Sequence, residues 1–131
     1  MRKLILMLLL AILSSSAMAE WVKVGANDKS TIYADPATIR KEGNMVKMWR
    51  LKNYGSPKVY SFSTSTVLSD REQSEYDCKE EQYRSLYISY HSEKYGKGEV
   101  VYRDTYPASN WRPVEPDSIG AELWKLACGK R

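Results

Sequence analysis

Histidine and phenylalanine are almost missing from this 131-residue chain, which holds one of each, His91 and Phe62. One imidazole and two cysteines fall short of the several His or Cys ligands that a zinc site uses, so no metal is expected. A Ser–His–acid triad would have to draw on Tyr90-His91-Ser92-Glu93. Neighbours along a strand point to opposite faces, so this string cannot converge on a substrate. His91 reads instead as an exposed residue at a strand end, and no enzyme is expected. Long runs of Lys or Arg are also missing, which removes the usual nucleic-acid footprint.

The one long apolar run, Leu4 to Leu13, has ten residues, where a membrane-spanning helix needs roughly twenty. It follows the basic pair Arg2-Lys3 and precedes Ala17-Met18-Ala19, a small-x-small cleavage pattern. Met1–Ala19 therefore reads as a secretory leader, and the domain as residues 20–131. The leader takes two basic residues with it, leaving eighteen against sixteen acids, a net charge of +2. No cysteine stands at the cleavage site, so the expected product starts at Glu20 without a lipid anchor. Export places Cys78 and Cys128 in an oxidising compartment, where a disulfide is the expected state.

The exported part reads as strands followed by one helix. Trp21–Val24 and Ser30–Ala34 are short strands, and Asp35-Pro36-Ala37-Thr38-Ile39 resembles one helical turn with Asp35 as N-cap. Met45–Tyr54 is a long strand, with Trp49 and Leu51 on one face and Val46 and Met48 on the other. Tyr60–Leu68 fits either a strand or a loop. Alternation sharpens at Glu72–Cys78, and Tyr83–Ser92 and Glu99–Arg103 form a hairpin around Tyr95-Gly96-Lys97-Gly98. Pro107–Pro116 is an irregular crossover held by Trp111. Ile119, Leu123, Trp124, Leu126 and Ala127 then make a helical stripe, with Asp117 or Ser118 able to cap it and Gly129 placed to end it. The fold class is α+β: a five- or six-stranded, mainly antiparallel sheet with one C-terminal helix packed on it and a helix-to-strand disulfide.

Tyr33-x-Asp35-Pro36-x-x-Ile39, Tyr76-Asp77-Cys78, Gly96-x-Gly98 and the ending Leu126-Ala127-Cys128-Gly129-Lys130 together resemble the surface-adhesin protein E family of Gram-negative bacteria. The resemblance spans roughly Trp21 to Lys130. It implies a disulfide-tied sheet and helix, and an exported protein that binds host matrix or serum components, with haem binding also described in the family. The adhesin's host-binding stretch is basic, whereas the matching Ser61–Thr66 is uncharged, so its ligand residues do not carry over.

Ten tyrosines and four tryptophans give the chain its aromatic character. Such side chains combine an apolar body with a polar tip and suit binding surfaces as well as strands. Tyr83, Tyr87, Tyr95, Lys97, Tyr102 and Arg103, with Lys94 and Tyr106 nearby, are the candidate binding surface. Tyr83 and Tyr87 are expected on one strand face. The competing reading is an ordinary exposed sheet face. Asp77, Glu80 and Glu81 could bind a cation, but read more simply as a charged turn. The expected function is non-enzymatic binding of a protein or glycan partner, in the periplasm or at the cell surface. Alternatives are a structural or stress-related envelope protein without a host ligand, or a small carrier using His91 or a tyrosine to hold haem. An exposed edge strand could also pair two copies.

Overall fold

The computed structural model describes residues 20–106 and 109–130, so the expected leader, Met1–Ala19, lies outside the described residues. Strands β1 (Val22–Ala26), β2 (Ser30–Glu42), β3 (Met45–Val59), β4 (Thr66–Asp77), β5 (Gln82–His91) and β6 (Val100–Thr105) pair in chain order, each antiparallel to the next. A 3-10 turn, Lys94–Gly96, separates β5 from β6, and the two-residue β7 (Arg112–Pro113) pairs with the start of β5. Helix α1 (Ile119–Cys128) closes the chain. The expected class and layout hold, with seven strands where five or six were anticipated.

Local chemistry sets the joints of this meander. Between β1 and β2, Asn27 Oδ1 accepts hydrogen bonds from the backbone N–H groups of Lys29 and Ser30 at 2.8 and 2.9 Å. Between β4 and β5, Asp77 Oδ1 accepts from the N–H groups of Lys79 and Glu80, each at 3.0 Å. Those bonds, foremost the one from Glu80, hold the Asp77 carboxyl below its ordinary range. The charged cluster after β4 is thus a turn built around Asp77.

Asp35–Ile39 is not a helical turn. It lies inside β2 as a bulge, where the register with β3 shifts between Asp35 and Arg40. The capping chemistry is present all the same: Asp35 Oδ1 accepts from Ala37 N–H at 3.1 Å, and Thr38 Oγ1 donates to the Asp35 carbonyl at 2.6 Å. Five steps along β2 face two along β3, so three extra residues leave the ladder, which makes room for Pro36 and its missing N–H. Of Tyr60–Leu68, the first part is a turn and β4 begins at Thr66.

One sheet face carries the helix. Ile32, Ala34, Val46, Met48 and Tyr76 project from β2, β3 and β4 to meet Leu123, Trp124 and Ala127 of α1, forming a buried cluster. Ser118 Oγ caps α1 by accepting from Ala121 N–H at 3.0 Å. Gly129 ends it in the left-handed region (φ 68°), where Lys130 N–H reaches the Lys125 carbonyl at 2.8 Å. Trp124 Nε1 donates to the Asp77 carbonyl at 2.9 Å, one residue before the bond between Cys78 and Cys128. Hydrogen bond and disulfide together pin the helix end to the end of β4.

Candidate functional site

A one-residue shift in β5 decides which side chains meet on the other face. Tyr83 pairs with Tyr76 and Ser85 with Ser74, but Tyr87 pairs with Gln73, so the extra residue falls at Leu86. A bulge of this kind flips the alternation downstream. Tyr83 therefore lies on the helix face, its ring 6.3 Å from that of Tyr76. Tyr87 lies on the opposite face, 5.5 Å from Trp49 in an edge-to-face pair. The expectation that Tyr83 and Tyr87 share a face fails for this reason.

The rest of the candidate surface divides in the same way. Tyr102 pairs with Tyr90 and belongs to the helix face, beyond the reach of the helix. There it stacks on Phe62 at 4.3 Å in a half-exposed aromatic group with Tyr60 and Tyr90. Burial, with the nearby Asp70, pushes the Tyr90 hydroxyl up to about 12. Arg103 pairs with Ser89 and points to the same side as Tyr87. Tyr95 occupies the 3-10 turn with φ 61° and lies 5.7 Å from Tyr33, and Lys97 follows it in the exposed loop. These six residues do not form one patch.

His91 is buried, not an exposed residue at a strand end. Only 4% of its surface is exposed. Its Nε2 lies 2.7 Å from Ser89 Oγ, while the loop after β5 folds back over this end of the sheet. Ser69 Oγ donates to the Glu93 carbonyl and accepts from Gly96 N–H, anchoring that loop. Gly96, at φ 67°, sits so low on the sheet that an added Cβ would stand 2.5 Å from Arg71 Cδ. His91 is thus covered rather than presented as a ligand. Burial first, then the positive neighbours Arg71 and Arg103, lower its pKa against a partial opposing effect of Asp70.

Beside this covered end the open face forms a trough of about 750 Å³, lined by Lys47, Trp49, Arg71, Gln73, Glu75, Arg84, Leu86, Tyr87 and Thr105. That volume falls within the roughly 300–1,000 Å³ usual for ligand sites. The Arg71 guanidinium lies 4.9 Å from the centre of the Trp49 ring and 5.9 Å from that of Trp21. Arg84 binds Glu75 through Nη2 and Nε, at 2.7 and 2.9 Å, and rests on Trp111 at 4.4 Å. Trp111 thus supports the trough; of the expected irregular crossover, residues 107–108 lie outside the described residues, and Arg112–Pro113 is strand β7 rather than irregular. Among the described residues, two buried side-chain nitrogens lack a hydrogen-bond partner, Arg71 Nε and His91 Nδ1. Both project on this open side.

The helix face treats its charges differently. Arg50 binds Asp70 at 2.6 Å and Glu72 at 2.5 Å. Glu72 Oε1 accepts from Ser74 and Ser85 at 2.9 and 2.7 Å, and Asp70 Oδ2 accepts from the Tyr54 hydroxyl at 2.6 Å. Burial opposes the Arg50 charge, but Glu72 and Asp70 outweigh it and keep the group protonated beyond its ordinary range. Burial likewise raises the Tyr54 pKa, reinforced by Asp70. Sequence reading missed both this network and the trough. Strand alternation placed Trp49 opposite Met48, but nothing in the spacing located the bulge that adds Tyr87 beside it.

A disulfide-clamped antiparallel sheet, helix on one side and aromatic–basic trough on the other, defines an α+β domain with one face left open. The chain belongs to the surface-adhesin protein E family, which it matches over residues 21–129. It is similar in fold to protein E from non-typeable Haemophilus influenzae, at 15% identity and a TM-score of 0.61, covering 88% of this chain and 79% of that one. A second crystal form of Haemophilus influenzae protein E gives 14% identity and a TM-score of 0.59, covering 86% of this chain and 97% of that one. Comparison with curated proteins finds no match. Among the described residues no helix is long and apolar enough to cross a membrane.

Proposed function

We propose that this chain, once freed of Met1–Ala19, acts outside the cytoplasm as a non-enzymatic binding protein of the adhesin kind. It grips a protein or glycan partner through the open face of its sheet. The observation that carries this reading is the trough itself, where half-exposed Trp49 and Tyr87 stand beside Arg71, Arg84 and Lys47. Aromatic and arginine side chains dominate the energetics of recognition surfaces. Family membership supports export and surface binding, and the trough's aromatic–basic lining supports the choice of this face.

Tyr87→Ala and Arg84→Glu should each weaken retention on immobilised matrix proteins or glycans at least tenfold, while Lys125→Gln on the helix side leaves it unchanged. Equal retention by all three variants would remove the trough from the function. A periplasmic envelope role without a host ligand is the alternative. Protease treatment of whole cells separates the two: digestion supports surface display, whereas protection together with release by osmotic shock supports the periplasm.

A further inference from the structure

The trough has a chemistry narrower than binding in general. We infer that its ligand is a glycan carrying carboxylate groups, a deepening that rests on the open face being the binding face.

Sugar rings present flat faces of C–H groups and rims of hydroxyls, and the lining complements both. Trp49 and Tyr87 meet edge to face at 5.5 Å, forming an aromatic corner against which a ring's C–H face can lie. Around it stand planar side chains with fixed hydrogen-bonding edges: the Gln73 amide, the Arg71 guanidinium and the joined Arg84–Glu75 pair. Arg84 cannot swing freely, because it is held by Glu75 and by the Trp111 ring. Arg71 is likewise held between Trp21 and Trp49. Donors fixed before the ligand arrives lose little entropy on binding.

Charge selects within the glycans. Lys47, Arg71 and Arg84 face a single acid, Glu75, which Arg84 already neutralises. Lys47 is exposed and makes no ion pair among the described residues. The trough is therefore positive where a ligand would lie, and a guanidinium pairs with a carboxylate through parallel hydrogen bonds. A protein partner would be expected to insert an apolar anchor into a dry pocket. This lining offers an open, half-polar floor and no such pocket.

The test titrates the purified protein, by calorimetry and amide chemical shifts, with three soluble probes: tetragalacturonate, a muramic-acid-containing glycan fragment, and neutral cellotetraose. At least one acidic probe should bind tenfold or more tighter than cellotetraose. The preference should fall at least tenfold in Lys47→Glu, an exposed position where folding is not at stake, and all glycan binding should weaken in Tyr87→Leu. Uronate binding would point to an acidic polysaccharide as the source, and muramate binding to the cell wall. Cellotetraose binding as tightly as the acidic probes, or no binding of any glycan, would overturn the inference. Trough-dependent capture of a matrix protein in that last case would leave the binding reading standing while the glycan assignment falls.

Discussion

The two faces of this sheet use similar residues to opposite ends. On the helix side, Arg50 is buried with two carboxylates, and those carboxylates are in turn bonded to Tyr54, Ser74 and Ser85. On the open side, Arg71 is stacked between aromatic rings and keeps a buried nitrogen without a partner among the described residues. A fully satisfied network specifies a fold, because each member loses heavily if another departs. Half-exposed Trp49 and Tyr87 and exposed Lys47 sit in no comparable network among the described residues, which leaves surface for something that arrives later. The difference separates a face satisfied within the fold from the face proposed for recognition, in one seven-stranded sheet.

The sharpest way to break the structural face is to cut its covalent clamp. Cys78 and Cys128 stand fifty residues apart in sequence with Cα atoms 5.6 Å apart. Closing a loop of that size stabilises the fold by roughly 4 kcal/mol on the chain-entropy account. Reduction, or Cys128→Ser, should lower Tm by about 10–20 °C, given several degrees per kcal/mol for a domain near this size. A melt indifferent to reductant would show that the helix holds by packing and the Trp124–Asp77 bond alone.

Arg50→Met should cost somewhat less, about 3 kcal/mol. It strands Asp70 and Glu72 in the interior with one cation gone, though the 16% exposure of the Arg50 side chain moderates the penalty. The double change Arg50→Met with Glu72→Gln should recover part of the loss in a urea melt. No recovery would mean that the network is not a coupled unit.

Tyr87→Leu sharpens the contrast from the other side. It removes an edge-to-face pair worth about 1 kcal/mol, so the melt should shift by only a few degrees while trough binding falls at least tenfold. A large loss of stability without loss of binding would make Tyr87 a core residue and reverse the reading of this face.

What could be read from the sequence follows the same division. Helix α1 was legible because its signals are local: an apolar stripe, a cap at Asp117 or Ser118, which the structure gives to Ser118, and a Gly129 stop. The disulfide was legible because two cysteines in a chain expected to be exported leave one pairing. The trough was not, because it depends on the Leu86 bulge, which is a property of two strands in register rather than of either alone. His91 was misplaced for a related reason. Its burial comes from the folding back of the 94–98 loop, through contacts between Ser69 and residues more than twenty positions away. Asp35-Pro36 shows a middle case, where the side-chain bonds were foreseen but the surrounding ladder turned a helical turn into a bulge.

The smallest expected effect is a pH dependence carried by His91. In the folded protein its pKa is lowered by burial and by Arg71 and Arg103, against the pull of Asp70. The unfolded chain, with a histidine near its ordinary value of about 6.5, therefore binds the proton more readily. Stability from the neutral ring is fully present above that value and is lost as pH falls from there through the folded pKa. Asp77, whose folded pKa is also lowered, loses its contribution only in the more acidic range below its own ordinary value of 3.8. A comparison of urea midpoints at pH 8 and pH 5 thus isolates the histidine from Asp77. The wild-type protein should be less stable at pH 5, and His91→Gln should lose much of that difference. Because the charge created on protonation sits beside Arg71, acidification should also disturb the trough before it disturbs the helix face. Amide shifts moving first around Arg71 and Tyr87 would confirm that order, and shifts moving first around Arg50 would refute it.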